Sequence, residues 1–269
     1  MDWLVRAPRW TKRGIWWLSD RLYDPHYVPQ LNAVRADLGL PPVRRPLDGW
    51  WNSPDRVLGL WPEWFAPSQP DFPPQLQVTG FPLHDGGGGR PVPPDLEDWL
   101  SAGGAPVLFT HGSANYQAAP FFSQSLETAR ALGVRALFVT TRRSDVPTGL
   151  PPEVRWEPFV PFSRLMPRCA ALVAHGGIGT LAEGLRAGLA QLAVPKAHDQ
   201  HDNGSRLLDL GVGDVLDLPD YRAHRAVPVL QRLLHDAQVR KRAGECASRI
   251  ETEDGVTAAA NAIEALAGT

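Results

Sequence analysis

The chain has 269 residues, with 27 Lys+Arg against 29 Asp+Glu and two cysteines, Cys169 and Cys246. That length allows one large domain or two small ones, while the balanced charge excludes the basic footprint of a dedicated nucleic-acid binder and two cysteines exclude a disulfide scaffold. No apolar run is long enough to cross a bilayer, and the opening MDWLVRAPRWTKRG lacks the apolar core of a signal peptide, so a cytoplasmic protein is expected.

Trp and Pro are unevenly spread. Eight of the ten Trp lie at or before Trp64, and sixteen of the 27 Pro at or before Pro94, so the chain has two unlike parts. In the first, Trp10 to Tyr23 and Val28 to Leu38 predict helices, the second stopped by Gly39 and Pro41-Pro42. Arg56 to Leu60 and Leu76 to Thr79 predict strands. Arg6, Arg9, Lys12, Arg13 and Arg21 interleave with Trp3, Trp10, Trp16 and Trp17, the composition of a helix lying on a membrane surface. Pro8 and Gly14 weaken a continuous amphipathic helix, so burial of these aromatics within a protein domain is preferred to peripheral membrane association. Residues 84–94 join four glycines to a proline cluster and read as a linker between residues 1–83 and 95–269.

After the linker the pattern becomes regular. Val107 to Thr110 predicts a buried strand, and Phe121 to Leu132 a helix ending at Gly133. Val134 to Thr140, Val154 to Phe159, Ala170 to Ala174, Gln191 to Val194 and Gly213 to Leu218 predict five more strands. Thr180 to Leu189 and Asn203 to Leu210 predict helices between them, and helical patterns fill Ala226 to Leu266. Strands alternating with helices at this spacing predict an α/β domain with a doubly wound, Rossmann-like parallel sheet.

The most informative stretch is AHGGIGTLAE, Ala174 to Glu183, which follows a buried strand and opens a helix. Free backbone N–H groups and the helix dipole at such a turn both favour phosphate, and glycine lets the anion approach the backbone. His175 and Thr180 can add hydrogen bonds to a diphosphate, and Glu183, one turn further in, can accept from ribose hydroxyls. The alternative is that the glycines merely allow tight strand–helix packing. A nicotinamide-cofactor site is disfavoured, because the G-x-G-x-x-G spacing is absent and no acidic residue ends the next strand.

The following strand leads into PKAHDQHDN, Pro195 to Asn203. Strand ends on one edge of a doubly wound sheet converge on one crevice, so this cluster is expected to face the glycine loop, with Asp199 and Gln200 suited to sugar hydroxyls. His198, Asp199, His201 and Asp202 are also possible metal ligands, and Asp199 or Asp202 possible helix caps; no further ligand cluster accompanies them. Gly112 and Ser113 after the first strand, and Phe159 and Val160 after the third, are expected to reach the same crevice, the latter pair around a planar base.

FTHGSA at Phe109 to Ala114, VPFSRLMPRCAALVAHGGIGT at Val160 to Thr180, and PKAHDQHDN resemble family 1 glycosyltransferases of the GT-B fold, in particular bacterial rhamnosyltransferase-like and sterol-glucosyltransferase-like enzymes. TGFPLHD at Thr79 to Asp85 and WPEWF at Trp61 to Phe65 resemble the stretch before the interdomain linker of that subgroup. The resemblance implies that Gly112, Ser113, His175, Gly177, Gly179 and Thr180 bind the donor diphosphate, Phe159 and Val160 frame the nucleobase, Glu183 holds the ribose, and Asp199 with Gln200 the sugar. It implies inverting transfer of a hexose from a UDP- or dTDP-sugar to the hydroxyl of a lipophilic or glycan acceptor, with no metal and no cofactor. His111 departs from the pattern, standing where a smaller residue or Pro is usual.

A GT-B enzyme has two Rossmann-like domains and so needs roughly 400 residues. The first 83 residues therefore read as the remnant of an acceptor domain, in which the family's catalytic base resides; His26 does not match its context, and no catalytic residue is assigned. The chain is expected to be a donor half with little transfer activity alone. The alternatives are the donor subunit of a split enzyme, with an acceptor-domain partner or self-association, and a non-catalytic nucleotide-sugar-binding module.

Overall fold

The structure, a computed structural model, describes residues 8–84, 89–112 and 117–267. It divides into two compact units, residues 1–79 with 258–269 and residues 80–257. The boundary falls at Gly80, ahead of the Gly/Pro stretch at 84–94, and the last twelve residues group with the first unit. The backbone itself explains this. The second unit begins at Gly80 (φ +97°), and a Cβ on Gly255 would lie 2.6 Å from the Gly80 carbonyl carbon, so the chain enters and leaves this unit at one place.

In the first unit the two predicted helices are one, α1 (Arg9–Asp37), which runs through Pro25 and Pro29. Each interior proline removes a helix hydrogen bond. Side chains from one face of α1 bind the returning backbone instead. Asp20 accepts from Leu47 N (2.9 Å), Asn32 pairs with both N and O of Val43 (2.8 and 3.0 Å), and Arg35 donates to Pro41 O (2.7 Å). Strands β1 (Val57–Gly59) and β2 (Leu76–Val78) pair in parallel, Val57 opposite Leu76. Trp10, Trp16, Trp17, Trp50 and Trp51 are exposed. Among the described residues no helix is long and apolar enough to cross a membrane.

The second unit holds six parallel strands: β3 (Val107–Thr110), β4 (Ala136–Val139), β5 (Val154–Glu157), β6 (Ala171–Ala174), β7 (Ala190–Ala193) and β8 (Gly213–Val215). Their order is β5-β4-β3-β6-β7-β8, the doubly wound sheet expected from the alternating pattern. The central strands β3, β4 and β6 are buried and apolar on both faces because both faces are covered. Val107 and Phe109 of β3, with Ala136 and Phe138 of β4, enter one core; Leu108, Leu137 and Leu172 enter the other. Truncating such a side chain, Phe109→Ala for example, costs about 3–5 kcal/mol.

Helix α2 (Pro94–Ser101), which the sequence reading passed over, supplies Leu96 and Leu100 to the second core. Helix α3 (Ala119–Leu132) ends at Gly133 in the left-handed region (φ 63°), as expected. A single turn α4 (Phe162–Leu165) is followed by α5 (Ile178–Arg186) and α6 (Gln200–Leu210). The long C-terminal helical pattern is three helices, α7 (Ala223–His235), α8 (Ala237–Glu251) and α9 (Gly255–Ala267), with Asp236 capping α8 through Gln238 N.

Candidate functional site

The chain lays down β3, β4 and β5 in one direction, then returns to place β6 beside β3 and continues outward to β8. The direction of winding reverses between β3 and β6, and in an open α/β sheet the crevice beyond the strand ends at that point is where ligands bind. His111 and Gly112 follow β3, and His175 to Gly177 follow β6, so the two glycine turns flank this crevice.

The turn after β6 is built for close approach. Gly176 has φ +83°, a region L side chains avoid, and a Cβ there would lie 3.0 Å from Gln200 O. Gly177 is extended and precedes α5 with no side-chain cap. The first intrahelical bond here runs from Leu181 N to Gly177 O, which leaves the amides of residues 178–180 as a donor set at the positive end of the helix dipole. A Cβ on Gly179 would meet nothing within 4 Å. Packing therefore does not require glycine at that position.

His175 is half-buried between two glycines. A Cβ on Gly112 (φ +77°) would lie 2.6 Å from His175 Cε1, and one on Gly177 would overlap Nε2. His175 Nδ1 is buried without a hydrogen-bond partner among the described residues, an arrangement that costs about 1–3 kcal/mol until something pairs with it. Burial holds this imidazole below its usual pKa, with the Asp199 carboxylate pulling the other way. His111 is fully buried, and its pKa is pushed down to about 4 by burial, with the charges of His175 and Lys196 acting in the same direction. Both rings are thus neutral at neutral pH, each with one donor and one acceptor nitrogen.

The segment after β7 closes the crevice. Gln200 Oε1 accepts from Lys196 N (2.9 Å) and Ala197 N (3.2 Å), which fixes the loop and leaves the Gln200 amide NH2 as the group it can offer. His198 sits at φ 60°, and Asp199 is the exposed residue at the start of α6. Asp199 does not cap the helix with its side chain; its Oδ2 accepts from Asn203 Nδ2 (2.7 Å). The same Asn203 amide donates to Gly176 O (2.9 Å), so a buried Asn ties the glycine turn to the Asp199 loop.

The remaining expected residues are less uniform. Thr180 is half-buried in the first turn of α5. Glu183 is buried, with its carboxylate on Arg186 of the same helix. Phe159 is 41% exposed just past β5, whereas the Val160 side chain belongs to the second core, so that residue can frame a base only through its backbone. Ser113 lies outside the described residues. Among the described residues, no three His, Cys, Asp or Glu side chains gather as a metal site. Sequence reasoning assigned no role to Asn203, Lys196 or His111. For Asn203 the available signal was its place four residues after Asp199, one helical turn away.

Comparison with known proteins agrees with the fold. Residues 134–266 match the family described as erythromycin biosynthesis protein CIII-like, C-terminal domain. The chain is 34% identical over 254 residues to O-mycaminosyltylonolide 6-deoxyallosyltransferase of Streptomyces fradiae, covering 89% of this chain and 57% of that relative. The glycosyltransferase of kitacinnamycin superposes with a TM-score of 0.71 at 23% identity, over 96% of this chain and 67% of that one. The glycosyltransferase VinC, solved in complex with dTDP, does so with a TM-score of 0.61 at 24% identity, over 78% of this chain and 51% of that one. Residues 134–266 thus match an EryCIII-like C-terminal domain, the relatives of the chain are glycosyltransferases, and its fold is that of solved glycosyltransferases.

Proposed function

We propose that residues 80–257 bind a nucleoside diphosphate sugar, UDP- or dTDP-linked, for inverting transfer of the hexose to an acceptor hydroxyl without a metal ion. The observation that carries this reading is the N-terminus of α5 at the sheet's reversal point, where uncapped amides, an unobstructed Gly179 and the half-buried His175 ring face one crevice. The dTDP complex of VinC supports the ligand class. On this reading Gly112, Ser113, His175, Gly177, Gly179 and Thr180 take the diphosphate, Asp199 and Gln200 the sugar, and Phe159 with the Val160 backbone the base. Glu183 would hold the ribose only by sharing its carboxylate with Arg186.

In the transfer step the acceptor oxygen attacks the anomeric carbon from the face opposite the diphosphate. The anomeric C–O bond breaks, and its electron pair leaves on the diphosphate oxygen. Amides 178–180, the α5 dipole, the His175 ring and the Lys196 ammonium stabilise that developing charge, the task a divalent cation performs elsewhere. The acceptor proton goes to a general base, and we assign none among the described residues. Residues 1–269, which span 57% of the Streptomyces fradiae relative's length, are expected to bind donor without transferring it unaided.

Isothermal titration with UDP and dTDP tests the donor site. Binding that His175→Ala abolishes supports it; no binding, or binding indifferent to that substitution, overturns it. A donor subunit of a two-chain enzyme and a non-catalytic binder would share this site. Transfer assays with and without an added acceptor-domain protein separate them, since only the former gains turnover.

A further inference from the structure

His111, which departs from the pattern of the family the sequence resembles, is a buried ring at the crevice held by stacking. It is 2% exposed and stacks on Phe121, with centroids 4.7 Å apart and planes at 23°. Phe121 stacks in turn on Tyr221 at 5.2 Å and 21°. The column is braced at its far end, where Tyr221 Oη and Ser125 Oγ are 2.9 Å apart and Ser125 Oγ donates to Phe121 O at 2.8 Å. Turning the His111 ring would break stacking along a buried column of three aromatics, so its orientation is fixed by packing.

The His175 ring meets this fixed plate edge-on, with centroids 6.3 Å apart and planes at 71°. Its other near neighbours, Gly112 and Gly177, leave room for the ring and have no side chain with which to orient it. A half-buried imidazole in a glycine slot gains a definite pose only from a rigid surface beside it. Among the described residues, Lys196 and His175 act electrostatically on His111, and Asp199 on His175.

We propose that His111 is a positioning residue for the donor site: locked in the Phe121–Tyr221 stack, it holds the His175 imidazole in the pose that presents a ring nitrogen to the diphosphate. This rests on the reading of the crevice as a diphosphate site, and the test has one arm that does not. In the ligand-free chain, 15N-histidine NMR reads the tautomer of His175 directly. His111→Phe, which keeps a flat ring on Phe121, is expected to leave the His175 signals those of a single tautomer. His111→Ala is expected to give a mixture and to move the His175 titration; unchanged signals in His111→Ala overturn the proposal.

In titrations with UDP or dTDP, His111→Ala is expected to weaken binding about tenfold, the weight of one charge-assisted hydrogen bond, and His111→Phe less than about threefold. On a His175→Ala background His111→Ala should have little further effect. Losses that multiply in the double variant, or a Phe variant as weak as the Ala variant, refute positioning through His175. If His111→Ala does not fold, His111→Leu fills the volume without a flat face and carries the same readouts. Absence of nucleotide binding by the native chain would count against the donor site, while the NMR arm would still decide the contact between the two rings.

Discussion

Acid should destabilise the sheet domain through His111, by an amount that can be worked out. The ring is buried in the aromatic column, and its pKa falls to about 4 from the usual 6.5. Between those values the unfolded chain binds a proton that the folded chain refuses. Stability is therefore fully present above about pH 6.5 and is lost as the pH falls toward 4. At pH 5 the loss from this one group is about 2 kcal/mol relative to pH 7.5. For a unit the size of residues 80–257 that is about 4–8 °C in Tm. His175, lowered for the same reason, adds in the same direction. Carboxylates also titrate in this range, so the measurement is a difference: thermal unfolding followed by near-UV circular dichroism, native chain against His111→Phe, at both pH values. The Phe variant keeps the stack and has no proton to refuse, so it should lose less stability on acidification by that margin. Equal losses in the two proteins would refute the assignment of a buried, neutral His111.

Three substitutions separate ligand-binding glycines and linkers from packing ones. Gly179→Ala places its Cβ in open space and raises helix propensity by up to ~1 kcal/mol, so Tm should hold or rise while UDP or dTDP affinity in isothermal titration falls about tenfold. Gly184→Ala puts a Cβ 2.7 Å from Gln191 Nε2 and 2.8 Å from Leu172 Cδ2. Urea unfolding should show a loss of about 1–3 kcal/mol for that variant, with nucleotide affinity unchanged at temperatures where it is folded. Asn203→Ala removes the donor to both Gly176 O and Asp199 Oδ2, and should lower both unfolding free energy, by about 1–3 kcal/mol, and nucleotide affinity. Loss of stability with full affinity in that variant would show that the link between the two loops is structural only.

How far the sequence could be read follows from the range of the interactions involved. The sheet was legible because its central strands are short apolar runs bounded by their own turns, as in Val107–Thr110 and Ala171–Ala174, and burial on both faces is written into those runs. The glycine turn was legible for a related reason: a strand, a glycine cluster and a helix start are consecutive in the chain, and a doubly wound sheet sends such turns to one edge. Local competition already blurs the picture, as at α1, where two helices are predicted and one runs through Pro25 and Pro29, with Asp20, Asn32 and Arg35 bonded to residues 41–47. Beyond that range the signal vanishes. Asn203 joins Gly176 across 27 positions, and the column under His111 closes on Tyr221, which no periodicity or motif associates with it. Glu183 shows the converse: its spacing from Gly179 suits a ribose, but no pattern in the sequence says that its Oε2 pairs with Arg186, three residues on. Chain-local pattern thus places the backbone groups proposed to bind an anion, whereas the orientation of the side chains beside them depends on partners that only the folded sheet brings into contact.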